Sequence, residues 1–108
     1  MNNLEKTIVA KYGKLTPPKI LRYFIDDTFF KTEHEKRPYT FIVMGRSGQT
    51  GKTWLTFGLK RYGLKALELS ESIFGLVDYR DCENHVIADD LDRTIIVVLN
   101  KHFLDERY

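Results

Sequence analysis

The stretch that decides the fold is residues 39–63, which read YTFIVMGRSGQTGKTWLTFGLKRYG. Residues 39–44 are rich in β-branched and aromatic side chains and are apolar on both faces from Phe41 onward, which predicts a central β-strand that ends at Gly45. From Lys52 onward the spacing of apolar residues predicts an amphipathic helix that Gly63 stops. The residues at this spacing are Trp54, Leu55, Gly58, Leu59 and Tyr62. A glycine-rich loop therefore joins a buried strand to a helix.

This loop, residues 45–53, has the composition of a phosphate-binding turn. Its backbone N–H groups and the positive end of the helix dipole converge on one point, where negative oxygen is stabilised. Glycines let the backbone approach a ligand without Cβ clashes. We expect Lys52 to reach the β- and γ-phosphates and the Thr53 hydroxyl to bind Mg²⁺. The candidate nucleotide-binding residues are Gly45, Ser47, Gly48, Gln49, Thr50, Gly51, Lys52 and Thr53. The alternative is a glycine-rich turn that binds no ligand.

A second candidate element is residues 85–90, HVIADD, where a short apolar strand runs into two carboxylates. Asp89 is expected to hold Mg²⁺, and Asp90 to orient or activate an attacking water. Acidic pairs at strand ends are also common turn residues. The pair gains weight because it follows Gly51-Lys52-Thr53 in the same chain.

Residues 45–53 resemble the Walker A motif of P-loop NTPases, with Arg46 where the motif has its first glycine and Gly45 one residue earlier. The strand that ends in Asp89-Asp90 and the strand 94–100, TIIVVLN, complete a likeness to motifs A, B and C of superfamily-three helicases. The likeness covers residues 39–100 and is nearest to the replication initiators of small circular single-stranded DNA viruses and related plasmids. It implies that ATP with Mg²⁺ is the cofactor and that Asn100 is a catalytic sensor of the γ-phosphate.

The connection between the last two strands departs from that family, because only residues 91–93 separate Asp90 from Thr94. A parallel crossover needs about a dozen residues. We therefore expect either an antiparallel hairpin or a second segment that is helical and capped by Asp92. Arg93 and Arg107 are the candidate arginine fingers acting in trans.

Length and composition predict one α/β domain, residues 1–108, with a sheet of about four strands. A helical N-terminal segment (1–37) precedes a P-loop-like core (38–108). In the N-terminal segment, the apolar spacing in residues 4–15 predicts a helix that ends near Gly13, and a second helix is expected over residues 17–29. In the core, a further strand is expected over 64–69 and a short helix over 71–79. Cys82 is the only cysteine, which excludes an internal disulfide. No apolar run approaches the roughly 18–20 residues of a membrane span, so we expect a cytoplasmic protein without a membrane partner.

The charge is divided unequally along the chain. Residues 1–62 hold twelve basic and five acidic residues, whereas residues 63–108 hold five basic and ten acidic ones. The basic half, with Tyr23, Phe30 and Tyr39 as exposed rings, could bind single-stranded nucleic acid.

The leading hypothesis is a small nucleotide- and phosphate-binding protein of a virus, phage or mobile element, related to replication helicases and with weak or no NTPase activity. One alternative is a non-enzymatic phage-encoded protein that binds or inhibits a host protein. The other is a single-stranded nucleic-acid-binding protein. The sequence leaves the oligomeric state open.

Overall fold

A mixed four-stranded sheet forms the centre of the fold, in the order β2-β1-β4-β3. The computed structural model describes residues 1–26, 40–45, 51–70, 76, 78–81, 84–88 and 94–100. The strands are β1 (Thr40–Gly45), β2 (Ala66–Glu68), β3 (His85–Ile87) and β4 (Ile95–Asn100). The helices among these residues are α1 (Asn3–Tyr12), α2 (Pro17–Asp26) and α3 (Lys52–Arg61), and a 3-10 turn spans Tyr79–Asp81. The expected α/β class with an N-terminal helical pair is confirmed.

The directions of the strands determine which strand ends lie at the same edge of the sheet. β1 and β2 are parallel, whereas β4 runs antiparallel to both β1 and β3. The expected antiparallel pairing of the last two strands is confirmed, and the alternative of a helix over residues 94–100 is wrong. Because β1, β2 and β3 all run in one direction, their carboxyl ends lie at one edge of the sheet. This edge, where Gly45 ends β1, is called the loop edge below.

The two faces of the sheet carry separate apolar clusters, as the alternation of side chains along a strand requires. The helices cover one face, where the ring of Phe24 on α2 meets that of Phe41 on β1 edge-on with centroids 5.0 Å apart. On the other face a smaller cluster contains Ile42, Met44, Leu69, Ile96 and Val98. Both faces of β1 are buried, which explains why apolar residues follow one another without interruption along this strand.

The helical N-terminus is joined to the edge strand β3 by hydrogen bonds. Asn2 and Glu5 form a capping box at the start of α1, and the Asn2 amide also donates to the His85 carbonyl at 2.7 Å. The second carboxylate oxygen of Glu5 accepts from the Ile87 N–H at 3.1 Å. The side chain of Glu5 is thereby satisfied although the residue is only 6% exposed. Residues of α1 and α2 share the core of the sheet.

The described helix ends lie close to the positions that glycine and apolar spacing in the sequence predict. α1 ends before Gly13, whose φ of 84° suits glycine and whose N–H donates to the Val9 carbonyl. α2 reaches Asp26, and residues 27–29 of the expected helix lie outside the described residues. Most of the expected helix over 71–79 also lies outside them, and its described end includes the start of the 3-10 turn.

One expected nucleic-acid contact is wrong. Tyr23 is only 5% exposed, because its ring packs edge-on against Tyr12 and Phe24, with centroids 6.3 and 5.4 Å away. It therefore belongs to the core and cannot stack on a base. Phe30 and Tyr39 lie outside the described residues.

The three described helices have ten residues each, and none has the length and apolar character that crossing a bilayer requires.

Candidate phosphate-binding site

The glycine-rich loop connects the carboxyl end of β1 to the amino end of α3. Gly45 is the buried last residue of β1, Gly51 is the N-cap of α3, and Lys52 is the first residue of that helix. Four expected site residues, Ser47, Gly48, Gln49 and Thr50, lie outside the described residues, as does Arg46. The described ends of the loop have the strand-to-helix arrangement that the sequence predicted.

Gly51 adopts a backbone conformation that favours glycine. Its φ is 91° and its ψ is 6°, in the left-handed region. A Cβ placed there would lie 3.6 Å from Cγ of Pro17 and 3.7 Å from Cδ1 of Ile95, which are ordinary contacts. The requirement for glycine at this position is therefore conformational and not a matter of space.

The amino end of α3 is electropositive. Since glycine has no side chain, the N-cap offers no hydrogen bond to the first-turn amides, and this turn contains no acidic residue. It contains instead the cation of Lys52, although an acidic side chain would be favoured by the helix dipole. The helix dipole and the Lys52 ammonium both favour an anion, whereas the Glu68 carboxylate that hydrogen-bonds Thr53 of the same turn opposes one unless a cation lies between them.

An acidic residue that the sequence analysis missed lies beside this turn. The Thr53 hydroxyl hydrogen-bonds the Glu68 carboxylate, contacting Oε1 and lying 3.1 Å from Oε2. Glu68 is the last residue of β2, and the parallel pairing of β2 with β1 brings it to the loop edge. The sequence did offer one signal, because Glu68 is an acid near the end of the strand predicted over residues 64–69. It did not show that this strand would pair with β1.

A hydroxyl and a carboxylate are oxygen donors of the type that Mg²⁺ prefers. The pair Thr53–Glu68 thus fits the cation that the loop motif implies. In the described part of the chain, no group of three or more His, Cys, Asp or Glu side chains could hold a metal ion. A cation here would also need phosphate oxygens or waters as ligands.

The expected acidic pair follows a strand that ends at the same edge. The Ala88 N–H donates to the Ile95 carbonyl at 2.8 Å, and Ile95 pairs with Gly45 across the sheet. The chain therefore reaches the loop edge immediately before Asp89 and Asp90. Both aspartates lie outside the described residues.

Asn100 is separated from the loop by the register of the sheet. It pairs with Thr40 at the first residue of β1, whereas the loop begins at the last residue, Gly45. Five residues of an antiparallel strand span roughly 17 Å. The sheet therefore brings Gly45, Thr53 and Glu68 to one edge and leaves the backbone of Asn100 at the other.

Comparison of the chain with protein-family models, with curated proteins and with solved structures finds no match to any of them.

Proposed function

We propose that the chain binds the polyphosphate of a nucleoside triphosphate, with Mg²⁺, at the loop between β1 and α3. The observation that carries the proposal is the amino end of α3, which begins with Lys52 after a left-handed N-cap glycine, Gly51, on the loop that leaves the buried strand β1 at Gly45. Such an end stabilises negative oxygen through its amides, its dipole and the ammonium of Lys52.

Each residue of the site has a separate role in this proposal. The first-turn amides and Lys52 bind phosphate oxygens. The Thr53 hydroxyl donates its proton to Glu68, which leaves its oxygen lone pairs available to a cation. The magnesium, when bound, neutralises part of the phosphate charge.

The proposal is one of binding with weak or no hydrolysis. Asp89 and Asp90 follow a strand that ends at the loop edge, but the register keeps the backbone of Asn100 at the opposite edge. A γ-phosphate sensor in the manner of superfamily-three helicases would have to come from another residue. The resemblance stated above favours ATP as the nucleotide, a virus, phage or mobile element as the source and the cytoplasm as the location.

The experiment is isothermal titration calorimetry of ATP·Mg²⁺ with the wild-type chain, Lys52→Ala and the matched control Lys65→Ala. Lys65 is exposed and precedes β2 near the edge of the sheet opposite the loop, where its carbonyl accepts from the Phe41 N–H. Hydrogen bonds to charged groups contribute about 1.5–3 kcal/mol, so Lys52→Ala should weaken binding by about ten- to 150-fold. Lys65→Ala should bind like the wild type. Negligible heats in all three proteins, or equal affinities in all three, would contradict the proposal.

A further inference from the structure

The solvent-facing side of α3 carries aromatic rings where a surface helix normally carries polar residues. Trp54 is 52% exposed and Phe57 is 69% exposed. Together with Arg61 they occupy positions i, i+3 and i+7 and therefore lie on one face of the helix. The buried face of the same helix holds Leu55, Thr56 and Leu59.

These rings border an open groove between α2 and α3 with a volume of about 670 Å³, within the range of about 300–1,000 Å³ that small-molecule sites occupy. Tyr62, which is 51% exposed, and Leu21 of α2 also line it. At Gly58 a Cβ would lie 2.6 Å from a methyl carbon of Leu21. The glycine therefore lets the two helices approach at the floor of the groove while the rings remain at its rim.

The charge of the groove is positive. Lys60 and Arg61 line it, and no acidic side chain is among its described lining residues. Over its whole length α3 has three cations and no Asp or Glu. A surface that combines aromatic rings with cations is complementary to stacked bases on a phosphate backbone.

The groove continues along α2 into a smaller depression of about 360 Å³ that shares Leu21 and Tyr62 with it. This depression adds the cation of Arg22. Its one acid, Asp26, lies 3.4 Å from the Arg22 guanidinium. This pair adds no net charge, so the depression lengthens the apolar and aromatic surface, while the net positive charge stays at Lys60 and Arg61.

We propose that this groove binds single-stranded nucleic acid, with bases stacked on Trp54 and Phe57 and phosphates paired with Lys60 and Arg61. The proposal does not depend on nucleotide binding at the loop, because different residues carry it. A duplex is a poorer ligand than a single strand, because its bases are already stacked on one another and cannot offer their faces to the rings.

Trp54 is the only tryptophan of the chain, so its fluorescence reports on the groove directly. The experiment titrates the full chain with a 20-nucleotide oligothymidylate and with a duplex of equal length, and follows indole quenching and the anisotropy of a labelled oligonucleotide. The wild type should bind the single strand with quenching, and more tightly than the duplex. No quenching and no anisotropy change at low salt would overturn the proposal, as would equal affinity for the duplex.

Two variants separate stacking from charge. Phe57→Ala should weaken binding by about five- to 150-fold, since stacking contributes about 1–3 kcal/mol per base. Lys60→Gln/Arg61→Gln should lower the slope of log K against log salt by about 1.4. The matched control Lys6→Gln/Lys11→Gln removes two cations from α1, away from the groove, and should bind closer to the wild type than the groove variant does.

Circular dichroism would confirm that each variant is folded. Wild-type affinity in both the Phe57 and the Lys60/Arg61 variants would overturn the proposal. Sedimentation of the free protein tests whether a second copy of the chain, and not nucleic acid, covers the groove. A dimer that Phe57→Ala dissociates would show that another copy covers the groove, and would also overturn the proposal.

Discussion

Two glycines with a positive φ allow backbone strain to be separated from ligand binding. Gly51 at the start of α3 has a φ of 91°, and Gly63 just after its end has a φ of 84°. An alanine Cβ would meet only ordinary contacts at Gly51 and nothing within 4 Å at Gly63. The change Gly→Ala therefore introduces the same kind of backbone strain at both positions and no steric clash at either.

The expected loss of stability follows from that comparison. A left-handed conformation costs a non-glycine residue about 1–2 kcal/mol, and the reduced entropy of the unfolded chain returns about 0.4–1 kcal/mol. Gly63→Ala should lower the free energy of unfolding by about 1 kcal/mol. Gly51→Ala should lower it by less, because its loop can relieve part of the strain by relaxing when no ligand is bound. For a domain of this size the melting temperature falls by about 4–8 °C per kcal/mol.

Nucleotide binding should distinguish the two variants. In Gly51→Ala protein ATP must restore the left-handed conformation, so affinity should fall by the strain that the free loop had relieved, which is at most about 30-fold, the equivalent of about 2 kcal/mol. Gly63→Ala should retain wild-type affinity. Thermal unfolding and calorimetry on both proteins check these values. Equal ATP affinity in the two variants would refute the reasoning that the Gly51 turn forms the site.

Further predictions concern the residues that hold the fold together, and urea unfolding checks each of them. Glu5→Gln should lower the free energy of unfolding by about 1–3 kcal/mol, because the carboxylate accepts from two backbone amides and the new NH₂ group must face one of them. The control Asp26→Asn removes an exposed charge and should cost less than about 1 kcal/mol. Phe24→Ala should cost about 3–5 kcal/mol, since the ring is fully buried, whereas Phe57→Ala at an exposed position should cost less than about 0.5 kcal/mol. Equal losses for the two phenylalanines would contradict the assignment of inner and outer faces.

Pairings between distant segments were not readable from the sequence. Thr53 and Glu68 are fifteen residues apart and meet because β2 is the parallel neighbour of β1. The helical spacing in 52–62 includes Trp54 and Tyr62 as well as Leu55 and Leu59, and periodicity alone could not say which of them face the core. The packing of α2 against Gly58 decided that Trp54 and Tyr62 are about half exposed.

The sequence by itself determined the features that depend on residues close to one another along the chain. It predicted the buried strand up to Gly45, the glycine-rich loop at Gly51 and the helix from Lys52, and through a connection too short for a crossover it reduced the last segment to an antiparallel strand or a helix. The tertiary structure decided what depends on strand order and register. Strand order and register depend on how side chains from distant segments pack together, so only the assembled sheet put Glu68 beside Thr53 and left the backbone of Asn100 at the far edge.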